Sequence, residues 1–372
     1  MDTVELNAII NTKIYSKKLR LSANKCNHLH ISKTNTNCYS NLKADVSTMK
    51  KSTVCSYLGD ILNSSGSLDS TIENRRQKGI GLCSQITGIV NSLSLGHYYF
   101  EISFLLRESM FLNGTLTNAE IWYPISEKQV EVLENVDLML IRKLLKGHSK
   151  ATKESFHMET GLLPIRFVIM KRRLMYLFNI LRKPKSELIR KVYDVQKTIK
   201  TKNDWYNIVQ ENKIYLEISQ SDEEIGKMSK ERFKLIVRKS VEKKAVEYLN
   251  NIACKHSKSK ELIKNKLSRE GYLKDQRFSK SESELLFAIR TRMVLDIKRN
   301  FPTQYNNNFA CDLCQVQVDC QEHLLSCVEL RKYVNVPVEV NYSDIYGNTD
   351  KQLKIVKLFK QLLRTREILK CN

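Results

Sequence analysis

A mainly α-helical protein is predicted from three observations. Capping signals recur ahead of apolar stripes at helical spacing, strand-like alternation is confined to the first 65 residues, and a Cys/His run after residue 310 has the spacing of a metal site. The expected order is a small N-terminal β-hairpin region (1–65), a helical bundle (66–200), a basic helical connector (201–300), a small zinc-stapled module (301–335) and a C-terminal helix (336–372).

Residues 1–35 read as a helix, with Leu6, Ile9, Ile10 and Ile14 at helical spacing, followed by the alternating strand His28-Leu29-His30-Ile31. His28 and His30 would share one strand face and are read as strand residues rather than as a second metal site. Residues 54–62 read as another strand. After Gly66 the chain turns helical. Ser70-x-x-Glu73 is a capping box opening a helix to about Leu95, and residues 98–113 form the next. Ser126-x-x-Gln129 is a second capping box. It opens an amphipathic helix with Val130, Leu133, Val136, Leu140 and Leu144 on one face, closed by Gly147. Pro164 starts a helix to about Arg182, with Lys171-Arg172-Arg173 facing out beside a packed stripe of Leu174, Leu177 and Phe178. A helix around Trp205 and Tyr206 is followed by the polar stretch Ser219 to Gly226, read as a linker. Residues 228–270 read as charged helices. In a helix over 283–300, Leu285, Leu286, Ile289, Met293 and Val294 point inward, with Arg290, Arg292, Lys298 and Arg299 outward. Asn306-Asn307-Asn308 leads into the metal loop. Thr349-x-x-Gln352 caps a last helix carrying Ile355, Val356, Phe359, Leu362 and Leu363.

The metal loop runs Cys311-x2-Cys314-x8-His323-x3-Cys327. Two thiolates two residues apart reach one ion from a tight turn. A His and a Cys four apart share a helical face and close a tetrahedral shell, which suits structural zinc. Cys320 lies inside the loop and is the alternative to His323 as fourth ligand. Cys26, Cys38, Cys55, Cys83, Cys254 and Cys371 are scattered, as reduced thiols would be.

The net charge of +22 is unevenly placed. Residues 142–200 hold 16 Lys/Arg against 4 Asp/Glu, and residues 227–280 hold 17 against 6, which leaves the remainder close to neutral. Concentrated positive charge repels itself unless a polyanion neutralises it, so RNA or DNA is the expected partner. Solvated lysine-rich faces would account for the same counts. No apolar run reaches the roughly 20 residues that span a bilayer, and the start Met1-Asp2-Thr3-Val4-Glu5 has no leader-like apolar core. The expected location is nuclear or cytoplasmic, without secretion or membrane attachment.

Several short motifs follow one another in a familiar order. They are Lys25-Cys26 before an alternating strand, Tyr57-Leu58-Gly59-Asp60, and then Trp122, Leu133-Glu134 and Asp137. Glu159-Thr160-Gly161-x-x-Pro164, Arg172-Arg173-Leu174, Arg290-Thr291-Arg292-Met293 and the Cys311/Cys314/His323/Cys327 loop follow. In this order they resemble the C-terminal part of a reverse transcriptase from a LINE-type non-LTR retrotransposon: the end of its palm, its helical thumb and its zinc knuckle. The resemblance implies that Tyr57, Leu58 and Gly59 form a hairpin gripping a primer end. It also implies that Lys25, Lys171, Arg172, Arg173, Arg290 and Arg292 face nucleic acid.

The chain departs from that family where the chemistry should be. Nucleotidyl transfer needs two divalent ions on a close pair of carboxylates. The family supplies an adjacent Asp-Asp, expected upstream of the position matching Met1, and this chain contains no Asp-Asp. The expectation is therefore a nucleic-acid-binding fragment that holds RNA, DNA or an RNA–DNA hybrid, with structural zinc and no catalytic residues of its own. Magnesium would enter only with a separate catalytic reverse-transcriptase half. The alternatives are a part of a polymerase active with that half, or a helical zinc-containing protein-interaction scaffold.

Overall fold

The computed structural model describes residues 27–29, 43–44, 47–48, 50–199, 204–257, 259–295, 309–338 and 340–371. The expected N-terminal helix, Lys25, Cys26, Cys38, His30-Ile31, Lys298-Arg299 and Asn306–Asn308 lie outside these residues.

The protein is mainly helical with a small antiparallel hairpin, as its sequence implies. Among the described residues, three two-stranded sheets lie near the N-terminus. β1 (Asn27–His28) pairs parallel with β4 (Lys50–Lys51), β2 (Lys43–Ala44) pairs with β3 (Ser47–Thr48), and β5 (Val54–Tyr57) pairs with β6 (Asp60–Asn63). Residues 54–62 are thus two strands of a hairpin rather than one strand. The turn is Leu58-Gly59, with φ of 48° and 87°, and two consecutive left-handed residues match the right-handed twist of a tight hairpin.

Helices follow: α1 (Asp69–Ser92), α2 (Tyr99–Leu106), a π turn (Arg107–Phe111), α3 (Leu112–Thr115), α4 (Glu127–Leu145), α5 (Lys153–Thr160) and α6 (Ile165–Leu181). Then come α7 (Leu188–Ile199), α8 (Trp205–Tyr215), α9 (Asp222–Lys227), α10 (Lys230–Ala253) and α11 (Lys280–Arg290). The last are α12 (Gln321–Ser326), α13 (Val328–Arg331) and α14 (Thr349–Cys371).

The capping box of α4 forms as its spacing implies: the Ser126 hydroxyl accepts from the Gln129 N–H, and the Gln129 side chain accepts from the Ser126 N–H. Its end is different. The left-handed residue is Lys146, with φ of 48°, while Gly147 is needed for space, since a Cβ there would come within 2.3 Å of the Phe156 ring. The Ser70 box does not form. Glu73 is drawn to Arg76 one turn on, at 2.7 and 2.8 Å, and α1 starts at Asp69 without a side-chain cap. At the C-terminal helix the capping oxygen is Asn348 Oδ1, which accepts from the Lys351 N–H at 3.0 Å.

Two hydrophobic clusters build the interior. The first joins α1 to α4 with α11, the Cys/His loop and α14, through side chains such as Leu140, Leu144, Phe287, Leu324 and Phe359. The second is built from α6 to α10, with Phe178 stacked on Phe233 at 5.5 Å. Helix α6 serves both, because Ile165 and Ile169 face the first while Phe167, Leu174 and Leu177 face the second. The clusters therefore cross the divisions at 200 and 300 read from composition.

The stretch Ser219 to Gly226 is not a linker. Ser221 and Glu224 form a capping box that opens α9, Ile225 is fully buried, and Asp222 binds Lys197 at 2.8 Å and the Tyr193 hydroxyl at 2.9 Å. Glu224 caps this short packed helix and Asp222 anchors it. Helix α11 is also shorter than expected. It opens on a Ser279/Glu282 capping box and stops at Arg290, two residues before Arg292 at φ 58°.

Candidate metal centre and the cationic residues

The loop entering the Cys/His cluster is folded by its backbone. Cys311 N–H donates to Gln317 O at 2.8 Å, Gln315 N–H donates to Cys311 O at 2.9 Å, and Ala310 pairs with Val318 across the turn. Gln315 takes the left-handed conformation, with φ of 58°, which turns the chain back on itself. This brings Cys311 and Cys314 to one side. Helix α12 then carries His323 and ends at Cys327, so the second pair arrives one helical turn apart.

The ligand atoms of Cys311, Cys314, His323 and Cys327 all lie within 4.8 Å of one another. Cys311 Sγ is 3.9 Å from Cys327 Sγ, and Cys314 Sγ is 3.3 Å from His323 Nε2. Cys311 and Cys327 are fully buried and His323 nearly so, while Cys314 is half-buried. Four soft and borderline donors, with no fifth among the described residues, match the donor set of closed, structural zinc. His323 Nδ1 donates to Gln317 Oε1 at 2.7 Å, which leaves Nε2 as the nitrogen that would ligate a metal. Cys320 caps α12 beside Glu322 and is not in the cluster, so His323 is the fourth member.

The electrostatics of the cluster suit a cation. Burial raises the Cys311 thiol and lowers the His323 imidazole, so the first resists becoming an anion and the second stays neutral. Burial also acts to raise Cys314, but hydrogen bonds from the Val316 and Gln317 backbone outweigh it and hold that thiol low. A metal cation would draw the remaining protons off the thiols and supply the missing charge.

The module is bolted to the helical body by residues that were not foreseen. Arg366 on α14 meets Asp319 with two contacts of 2.6 Å. Gln321 is fully buried, donates to Ile289 O at 2.9 Å and accepts from Val294 N–H at 3.1 Å. Arg366 falls at the spacing of the buried stripe Ile355, Phe359 and Leu362, and that was its only signal in the sequence.

The cationic residues expected to face nucleic acid are divided by the fold. Arg173 is corrected. It is buried and donates to Trp122 O at 2.8 Å, so the basic triplet does not face out as a unit. Arg290 is also corrected. Its guanidinium lies against the Glu159 carboxylate at 2.9–3.0 Å, donates to Ile345 O at 2.7 Å, and sits over the Tyr346 ring. Tyr272 donates its hydroxyl to the same carboxylate at 2.7 Å, so Glu159 and Arg290 are an internal joint between α5 and α11. Arg292 is half-buried and pairs with Glu322 at 2.6 Å, tying the end of α11 to α12. Arg172 is half-buried and donates to the carbonyls of Leu112 and Leu116 and to Asn113 Oδ1. Lys171 is half-buried beside it, on the rim of a cavity of about 440 Å³ that also meets Arg238.

The hairpin tip stays outward. Tyr57 is 61% and Leu58 73% exposed, and Gly59 completes the turn. Asp60 anchors the base to Arg75 at 2.7 Å, and Asn118 Nδ2 donates to Leu58 O at 3.1 Å and Asp60 Oδ2 at 2.9 Å.

Comparison with family models, curated proteins and solved structures finds no match to this chain. No described helix is long and apolar enough to cross a membrane.

Proposed function

We propose that this chain is a nucleic-acid-binding unit of reverse-transcriptase type, holding an RNA or RNA–DNA duplex through its phosphates with zinc as a structural staple. The observation that carries the reading is the outer face of α10. This helix buries one residue per turn, from Phe233 through Val237, Val241, Ala245 and Leu249 to Ala253, and leaves Lys230, Arg232, Lys234, Arg238, Lys239 and Lys243 exposed. Arg232, Lys239 and Lys243 recur at seven- and four-residue intervals, which sets them in one row. Lys230, Arg232, Lys234 and Lys239 have no carboxylate partner among the described residues, so their charge is free for a polyanion. Lysine and arginine rows contact the backbone and carry no sequence code, so binding is expected to follow shape.

The chain contains no Asp-Asp, and its proposed role is gripping rather than polymerisation. Association with a separate catalytic half would bring magnesium chemistry that this chain does not provide. Binding of an RNA–DNA duplex measured across salt tests the reading. The expected result is a steep linear fall of log affinity with log salt, and no measurable affinity even at low salt would end it.

A second reading, a helical protein-interaction scaffold, is favoured by α7. Leu188, Val192, Val195 and Ile199 form a solvent-facing apolar stripe at helical spacing, 77%, 44%, 53% and 62% exposed. Salt-insensitive association with a protein partner, alongside weak duplex binding, would favour this scaffold.

A further inference from the structure

A cavity of about 350 Å³ lies between α4, α5 and α10, away from the Cys/His cluster and from the outer row of α10. Its wall is mostly apolar, with Leu138, Ala151, Leu249 and Ile252, and exposed His256 stands among its lining residues. Two of its lining residues, Glu154 and His157, are buried.

Glu154 is only 3% exposed. Its Oε1 accepts from the Ser259 hydroxyl at 2.7 Å, and Thr152 Oγ1 lies 2.7 Å from the same hydroxyl. Its Oε2 receives no hydrogen bond from a described residue, and no cationic side chain lies within ion-pair distance of the carboxylate among them. Two nearby cations among the described residues are already committed. Lys153 turns to Glu131 at 3.0 Å, and Arg166 holds Glu134 at 2.8 Å while covering the Tyr248 ring at 4.8 Å. The His157 Nδ1–H donates to Leu162 O at 3.0 Å, so Nε2 is the acceptor of a neutral ring. Glu154 Oε2 and His157 Nε2 are therefore acceptors at this apolar space, and the first belongs to a buried carboxylate without a counter-charge among the described residues. Buried charges are normally paired.

We infer that this cavity binds an aliphatic ammonium group, with the nitrogen on Glu154 Oε2 and the carbon stem along Leu138, Leu249 and Ile252. The shared chemistry belongs to a free alkyl diamine and to a lysine side chain presented by a peptide. The Tyr248 ring, already polarised by Arg166, makes the wall of the stem rather than the seat of the charge.

The test is titration of the full zinc-loaded chain, followed by calorimetry or saturation-transfer NMR, with three probes: cadaverine, Nα-acetyl-lysine N-methylamide and pentan-1-ol. The expected result is that at least one amine binds tenfold or more tightly than the alcohol. Cadaverine alone binding identifies a free diamine, and binding of the lysine amide identifies a side chain. Glu154→Gln should weaken the amine tenfold or more and leave the alcohol unchanged, with the circular dichroism spectrum retained. Ile252→Trp, which narrows the cavity without touching the carboxylate, should exclude both. Should Glu154→Gln not fold, the amine-to-alcohol ratio in the natural chain and the Ile252→Trp result still decide. Equal binding of amine and alcohol, no amine binding up to tens of millimolar, or amine binding unchanged in Ile252→Trp overturns the inference.

Discussion

Arg366 and Asp319 face each other across two 2.6 Å contacts, both side chains nearly sealed from water, and so fasten the C-terminal helix to the loop that carries the Cys/His cluster. Removing one partner strands a buried charge. Arg366→Met is expected to cost about 3–5 kcal/mol, and Arg366→Met with Asp319→Asn much less, because no charge is then left alone. Denaturant unfolding of the two variants measures the difference, and equal losses would contradict the account.

The fourth ligand is separable by substitution. His323→Ala should lower bound zinc and loosen the surrounding module, while Cys320→Ser should leave the zinc content of the purified protein at one per chain. Metal analysis of the two variants checks this. Structural zinc contributes on the order of 10 kcal/mol to small peptides, so chelation should also unfold the loop. Burial of Leu324, Leu330 and Phe359 in one cluster predicts that the loss reaches α14, read as raised amide exchange there.

Arginines of similar appearance should behave in opposite ways. Arg290→Ala leaves Glu159 unpaired in the interior and should cost about 3–5 kcal/mol of stability. Any loss of duplex binding should follow the fraction unfolded. Arg232→Ala with Lys239→Ala should leave the melting temperature nearly unchanged. If each cation neutralises one phosphate, that pair should lower the slope of log affinity against log salt by about 2.

His157 gives the fold a sensitivity to acid. Burial holds its pKa below the usual 6.5, so the folded state binds fewer protons than the unfolded state as pH falls through that value. Stability is fully present above the unfolded pKa and is lost progressively from about pH 6.5 downward to the folded pKa. His157→Asn keeps a donor for Leu162 O and cannot titrate. Its unfolding free energy should vary less between pH 7 and pH 5 than that of the natural chain. Matching pH profiles would assign the sensitivity to other groups.

What the sequence discloses depends on how local the physics is. Helix α4 was legible because its cap and stripe lie within a few residues, and the Cys/His cluster because its four members are closely spaced in sequence. The buried arginines were not legible. The partner of Arg290 is 131 positions earlier, and that of Arg173 is a backbone carbonyl on a loop 51 positions away. A cation at the edge of an apolar stripe looks solvent-facing until the partner is placed. Ser219 to Gly226 misled in the same way: its acidic residues resemble a solvated break, yet Glu224 caps α9 and Asp222 anchors it to Lys197 and Tyr193. At Gly147 the residue type was right for a different reason, the approach of Phe156 rather than a left-handed turn.

The first hydrophobic cluster is written in two separated passages, Ile72 to Ile169 and Tyr272 to Leu362, with the second cluster spelled out largely between them. During synthesis, the apolar face of α4 is left incomplete until α11, which packs against it, has been made. A message cut short after the middle helices would yield a polypeptide with one finished heart and one gaping side, ready prey for chaperones and proteases.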